Sequence, residues 1–160
     1  MGMKVELITL SPDDWQTWRS TRLAALTEAP SAFGSRLEDW ADADERRWRD
    51  RLSIPGAVNL VALDPQTNTP VGMVTGTPPA QDSESAKVIS MWVDPTVRGQ
   101  GVATSLITAV ANWAANSGAR ALTLSVMPNN EAARRVYERN GFEITSELDD
   151  GSEIEMTRVL

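Results

Sequence analysis

Residues 87–117 restrict the fold more than any other part of the chain. A short β-rich apolar run, Val-Ile-Ser-Met-Trp-Val at 88–93, leads through Asp94-Pro95 and glycines at 99 and 101 into a helical stripe. A strand without polar alternation is buried on both faces, so it belongs in the centre of a sheet. Val102, Leu106, Ile107, Val110 and Trp113 recur at the spacing of an amphipathic helix, and Ser117-Gly118 supplies its stop. The chain therefore passes from a central strand directly into a helix that packs on the sheet.

The flanking sequence extends this layered pattern. Residues 4–10 read as a first strand, and Ser11-Pro12-Asp13-Asp14 supplies a cap, a proline at the first helical position and acids in the first turn. Trp15, Trp18, Leu23 and Leu26 keep helical spacing to about residue 27, before Ala29-Pro30-Ser31 breaks it. A second helix is predicted over 42–52, with Trp48 and Leu52 inward. A hairpin follows, 58–63 and 71–77, around the polar turn at Pro65-Gln66-Thr67-Asn68. After the central unit come a strand at 122–126, a helix at 131–139 capped by Asn129 or Asn130, and closing strands at 142–148 and 153–159. The order β α α β β β α β α β β defines an α/β (α+β) three-layer domain with a largely antiparallel sheet, one domain over residues 1–160.

Composition narrows the chemistry. The chain has no cysteine and no histidine, which excludes disulfides, thiol nucleophiles, zinc sites of the usual ligand set and histidine-based triads. Proton transfer is left to Asp, Glu, Lys, Tyr and water, and Tyr137 is the single tyrosine. The net charge of −7 argues against a nucleic-acid surface and mildly favours cationic substrates. No apolar stretch of about 18 residues spans a bilayer, and Glu6 stands where a myristoylation signal needs Ser or Thr. The expectation is a cytoplasmic protein without a metal, and a homodimer is compatible with it.

Glycines between a buried strand and a helix start let the backbone turn its amides outward. Unpaired first-turn N–H groups and the helix dipole make such a junction an anion site without a lysine. The spacing is not that of the dinucleotide fingerprint, and the lysine of a phosphate loop is absent. Read alone, the glycines serve equally as a turn.

Arg98-Gly99-Gln100-Gly101-Val102-Ala103 resembles the pyrophosphate loop of the GNAT N-acetyltransferases, Gln/Arg-x-x-Gly-x-Gly/Ala. Met91-Trp92-Val93-Asp94-Pro95 is similar to the family's fourth strand and the turn after it. Asn130-x-x-Ala133-x-x-Val136-Tyr137-x-x-x-Gly141-Phe142 is similar to its last helix. The resemblance spans about residues 87–142. It implies a sheet whose fourth and fifth strands splay, and a chain that takes acetyl-CoA as co-substrate.

It also implies roles. Met91, Trp92 and Val93 would pair with the pantetheine arm, and Arg98, Gly99, Gln100, Gly101, Val102, Ala103 and Thr104 would hold the pyrophosphate. Asn130 would hold the arm, Ala133 would leave it room, and Tyr137 would act as general acid to the departing thiolate. Arg134, Arg135 and Arg139 are candidates for the nucleotide's phosphates. Direct transfer to a primary amine of a small molecule or peptide follows, with a strand-four amide donating to the oxyanion.

The sequence departs from branches of the family that carry a glutamate on the fourth or fifth strand: Ser90 and Ser125 stand in those strands. Glu84, Glu38 and Asp39 are the candidate bases, with Glu84 taken as the catalytic one. Phe33, Glu38 and Trp40 are candidates for the acceptor site, in a region that resembles the family's acceptor segment. Two other readings stay open: a catalytically weak acyl-CoA-binding sensor of the same fold, and a structural protein whose glycine loop is only a turn.

Overall fold

The computed structural model describes residues 3–29, 37–147, 151 and 153–160. Its strands are β1 (Glu6–Thr9), β2 (Val58–Asp64), β3 (Thr69–Thr77), β4 (Ser85–Val93), β5 (Ala121–Val126), β6 (Glu143–Glu147) and β7 (Ile154–Val159). Its helices are α1 (Trp15–Glu28), α2 (Leu37–Trp40), α3 (Glu45–Arg51), α4 (Val102–Asn116) and α5 (Glu131–Arg139). The strands form one sheet in the order β1-β2-β3-β4-β5-β7-β6. Among the described strands β4 and β5 alone run parallel, and the other neighbours are antiparallel.

The element order follows the sequence prediction with one addition, the single turn α2, which is too short to leave a periodic signal. The predicted helix start at Ser11-Pro12 is a 3-10 turn (Pro12–Asp14), and α1 begins at Trp15. There the Asp14 carboxylate accepts from Ser11 N at 2.8 Å and from Ser11 Oγ at 3.2 Å. The helix predicted from residue 42 starts at Glu45, because Asp44 caps it by accepting from Arg47 N at 2.9 Å.

Alternation along the strands divides the core in two. Leu60 and Ala62 of β2 join the α4 side, with Leu106, Ile107, Val110, Leu122 and Phe142. Val61 and Leu63 join the α1 and α3 side, with Trp18, Trp48 and Met73. Trp18 and Trp48 are fully buried, and each such side chain stabilises the fold by on the order of 2–3 kcal/mol. On the other face α4 lies close to β3: a Cβ on Gly76 would sit 2.8 Å from Trp113 Cζ3. Glycine at 76 is a packing requirement, set by the Trp113 indole that fills the space.

Two irregularities in β4 position the site. The strand bulges at Ser90, which has φ +55, and its register with β3 skips between Met73 and Thr75. Without the extra residue Val88 and Trp92, four apart, would share a face; with it Val88 packs toward α4 and Trp92 toward α1. The second irregularity is the short pairing with β5. It covers Ser85↔Ala121, Ala86↔Leu122 and Lys87↔Thr123 and then stops, although both strands continue. From there they open as a wedge whose facing backbone edges have no partner strand among the described residues.

Candidate active site

The helix α4 opens directly at the mouth of this wedge. Gly101 is its N-cap with φ +86, and Gly99 has φ +80, both in the left-handed region. A Cβ on either would meet nothing within 4 Å, so conformation rather than crowding demands glycine, and the space in front of the loop is free of protein. The first helical bond at this end runs from Ser105 N to Gly101 O. The N–H groups of Val102, Ala103 and Thr104 therefore have no acceptor inside the helix, and the first turn carries no acidic side chain. The positive end of the helix dipole adds to them. An anion with several oxygens fits this cradle.

A cleft of about 930 Å³ extends from the cradle. The sequence-predicted donor residues Met91, Trp92, Val93, Arg98, Gly99, Gly101, Val102, Ala103, Thr104, Asn130, Ala133 and Tyr137 all line it, together with Ser125 and Val126 of β5. Gln100 is the exception. It does not line the cleft, and its carbonyl accepts from Met3 N at 2.6 Å, which ties the loop to the N-terminal segment. Of the helix arginines, Arg135 and Arg139 line the cleft and Arg134 does not.

Arg98 is engaged within the protein. Its Nε donates to Val93 O at 3.0 Å and its Nη2 to both carboxylate oxygens of Glu28, at 3.0 and 2.9 Å. Glu28 also accepts from Trp92 Nε1 at 3.0 Å. The charge expected of Arg98 at the phosphate cradle is thus shared with a carboxylate that itself lines the cleft. Glu28 lies 70 residues from Arg98 in sequence, and no local pattern announces the pair.

Asn130 has two uses. Its Oδ1 caps α5 by accepting from Ala133 N at 3.2 Å, and the residue also lines the cleft, with the amide NH2 not used in the cap. Tyr137 is buried, its ring edge-on to Phe142 at 5.9 Å between centroids. Burial pushes its phenol up to about 12. The hydroxyl therefore stays protonated at neutral pH, as a hydrogen-bond donor.

On the opposite face of the sheet a second cavity, about 420 Å³, is lined by Trp18, Trp40 and Trp48, by Arg22 and Arg51, and by strand residues including Ser90, Ser125, Glu153 and Glu155. Ser125 and Val126 border both cavities, so the two meet at the open end of the wedge.

The carboxylates chosen from sequence fare differently. Glu84 precedes β4 at its paired, closed end, with its carboxylate 3.7 Å from Arg120 Nε. Met91 lies seven residues further along, roughly 20 Å at strand rise. Glu84 is exposed, ion-paired and lines neither cavity. Glu38 and Asp39 are exposed on α2 and line neither cavity, whereas Trp40 of the same turn does line the second. Phe33 lies outside the described residues.

Sequence reasoning passed over Glu153 and Glu155. Their signal was the alternation at the start of β7, where Ile154 and Met156 are buried and Glu153 and Glu155, each one residue before them, line the second cavity. Glu155 is the register partner of Ser125. Among the described residues no group of three or more His, Cys, Asp or Glu forms a metal site, and no helix is long and apolar enough to cross a membrane.

The architecture is a mixed α/β sheet split at its parallel pair, with a glycine cradle at the mouth of the split. The Acetyltransferase (GNAT) family model matches residues 15–142, and the chain belongs to that family. It is 36% identical over 58 residues to the aminoglycoside N(6')-acetyltransferase type 1 of Salmonella typhimurium, a match covering 36% of this chain and 40% of the relative. It is 28% identical over 148 residues to the L-2,4-diaminobutyric acid acetyltransferase of Nocardia farcinica, covering 83% of this chain and 74% of the relative. Among solved structures, the PaiA N-acetyltransferase of Thermoplasma acidophilum in complex with coenzyme A superposes with a TM-score of 0.78 at 17% identity, covering 99% of this chain and 100% of that one.

Proposed function

We propose that the protein transfers the acetyl group of acetyl-CoA directly to a primary amine. One observation carries this reading: a cleft fitted for an anion and an extended arm meets a separate charged cavity through the opening between β4 and β5, at Ser125 and Val126. Donor and acceptor thus reach one point from opposite faces of the sheet. Two relatives are named for amine-bearing compounds, an aminoglycoside and L-2,4-diaminobutyric acid, which supports an amine acceptor.

Acetyl-CoA supplies the acetyl group as an activated thioester. The amides of Val102, Ala103 and Thr104 hold the pyrophosphate, Arg135 and Arg139 add charge at the cleft wall, and the free edges of β4 and β5 pair with the arm as a strand would. Strand-four amides beyond the bulge donate to the thioester oxygen. The amine reaches this point after losing a proton to the carboxylates of Glu153 and Glu155, the cavity's described glutamates. As the N–C bond forms and the C–S bond breaks, the nitrogen gives its second proton to water and Tyr137 donates a hydrogen bond to the sulfur.

A phenol near 12 opposite a thiol near 8.5 makes full proton transfer uphill by about 5 kcal/mol. Tyr137 thus stabilises charge developing on sulfur chiefly as a donor, and the thiolate takes its proton from water on release.

A thiol-release assay over a panel of primary amines, run beside equilibrium binding of acetyl-CoA and dephospho-CoA, tests the reading. Acetyl-CoA binding with turnover of at least one amine is expected. Binding without turnover leaves an acyl-CoA sensor, and absence of binding sinks both.

A further inference from the structure

Resting on that acetyl-transfer reading, we infer that the acceptor is a small amino acid carrying a carboxylate as well as its amine: Arg22 and Arg51 hold the carboxylate, and Glu153 and Glu155 face the amine. The argument begins with Arg51. Its hydrogen bonds go to Asn59 Oδ1 at 3.2 Å, Thr75 Oγ1 at 3.0 Å and Ser90 Oγ at 3.0 Å. All three acceptors are neutral, and among the described residues no carboxylate pairs with Arg51. Three of its five N–H groups are used this way. A guanidinium drawn this far out of water normally meets an anion.

A second guanidinium stands beside it. Arg22 is only 7% exposed, and burial, with the nearby charge of Arg51, lowers its pKa to about 10. Burial alone brings Arg51 to about 10 as well. Both remain charged at neutral pH. Two like charges in one poorly hydrated wall repel each other, and an anion at Arg51 relieves that repulsion and the hydration Arg51 has lost. Such a cationic wall contrasts with a chain of net charge −7 and is therefore local to the cavity.

The rest of the cavity orients a bipolar ligand. Its tryptophans exclude water, with Arg51 held 5.0 Å from the Trp18 ring centroid. Arg22 and Arg51 come from α1 and α3, while the two glutamates stand on the sheet, at or just before β7. A zwitterion lying across the cavity puts its carboxylate on the helix side and its amine beside Ser125, where the wedge opens. The volume of about 420 Å³ suits an amino acid rather than a large oligosaccharide.

Matched triplets test this on the whole chain: lysine, lysinamide and cadaverine; ornithine, ornithinamide and putrescine; alanine, alaninamide and ethylamine. In the thiol-release assay the free acid of at least one triplet is expected to exceed its carboxamide and its decarboxylated amine by tenfold or more in kcat/KM, expressed mainly in KM. In Arg51→Gln the acid-to-amide ratio is expected to fall toward one, and Arg51→Lys, which keeps the charge without the fork, to restore part of it. Thermal melts of both variants establish that they fold, and the wild-type comparison stands without them. Turnover of amides or plain amines as good as that of the acids overturns the carboxylate site and leaves acetyl transfer standing. Acetyl-CoA binding with no turnover of any compound overturns both.

Discussion

Replacing Tyr137 by phenylalanine separates its packing from its chemistry. The ring is buried against Phe142 at 5.9 Å, and phenylalanine keeps that contact, so stability at neutral pH is expected to change by less than about 1 kcal/mol. What disappears is one hydrogen bond to a group that becomes charged in the transition state. Such bonds contribute about 1.5–3 kcal/mol, so kcat should fall by about 10- to 150-fold with the KM for acetyl-CoA little altered. The phenol also provides an independent readout. Its pKa rises from 10 in the unfolded chain to about 12 in the fold, so the neutral form is favoured by folding. That contribution is complete below pH 10, is lost as pH climbs to about 12, and amounts to about 3 kcal/mol. Single-turnover thiol release on a confirmed acceptor gives the first effect, and denaturant melts between pH 9 and pH 12 the second. The variant should lose less stability over that range than the parent. Turnover within twofold of the parent refutes the role assigned to the hydroxyl, and identical alkaline melts refute the burial argument.

Other substitutions probe other features. Gly101→Ala forces a side chain into φ +86 and should cost about 1–2 kcal/mol of stability while weakening CoA in titration calorimetry. Gly118→Ala, at φ +89 but away from the cleft, should cost the same stability with CoA affinity unchanged. Glu28→Gln removes a carboxylate from the cleft wall and frees Arg98; CoA should bind about two- to fivefold tighter at low salt, with the gain shrinking as salt is added. Unchanged or weaker binding refutes the shared-charge account of Arg98. Gly76→Ala drives a methyl against Trp113 and should cost about 1–3 kcal/mol, a fall of about 2–12 °C in Tm by calorimetry, without changing CoA affinity at permissive temperature.

The donor half of the site was legible because it is local. Gly99, Gly101 and the first turn of α4 lie within a few residues, and Asn130, Ala133 and Tyr137 share one helix, so spacing alone brings them together. Gln100 sits inside the same motif and still misses the cleft, since its carbonyl is committed to Met3, an interaction no spacing encodes. The acceptor half is assembled at long range. Arg22, Arg51, Ser90 and Glu155 come from four elements and converge only once strand register is fixed. Glu84 shows the same limit. Its sequence distance from β4 was right, but the closed end of the β4–β5 pair is settled by three backbone pairings that side-chain patterns do not carry. The bulge at Ser90 likewise exchanges the faces of β4 partway along a run that is apolar throughout.

The brief contact between β4 and β5 also bears on how the sheet is held together. Among the described residues, three residue pairs are the only ladder joining a four-stranded half, β1 to β4, to a three-stranded half, β5, β7 and β6. The weakest seam therefore runs through the middle of the sheet. On the proposed reading, a ligand arm seated in the wedge bridges that seam with main-chain bonds of its own. The cofactor then acts as a removable brace, adding about 2.7 kcal/mol at a hundred times its Kd. Amides along the inner edges of Leu124 and Val126 should change from fast to slow hydrogen exchange as the brace is seated.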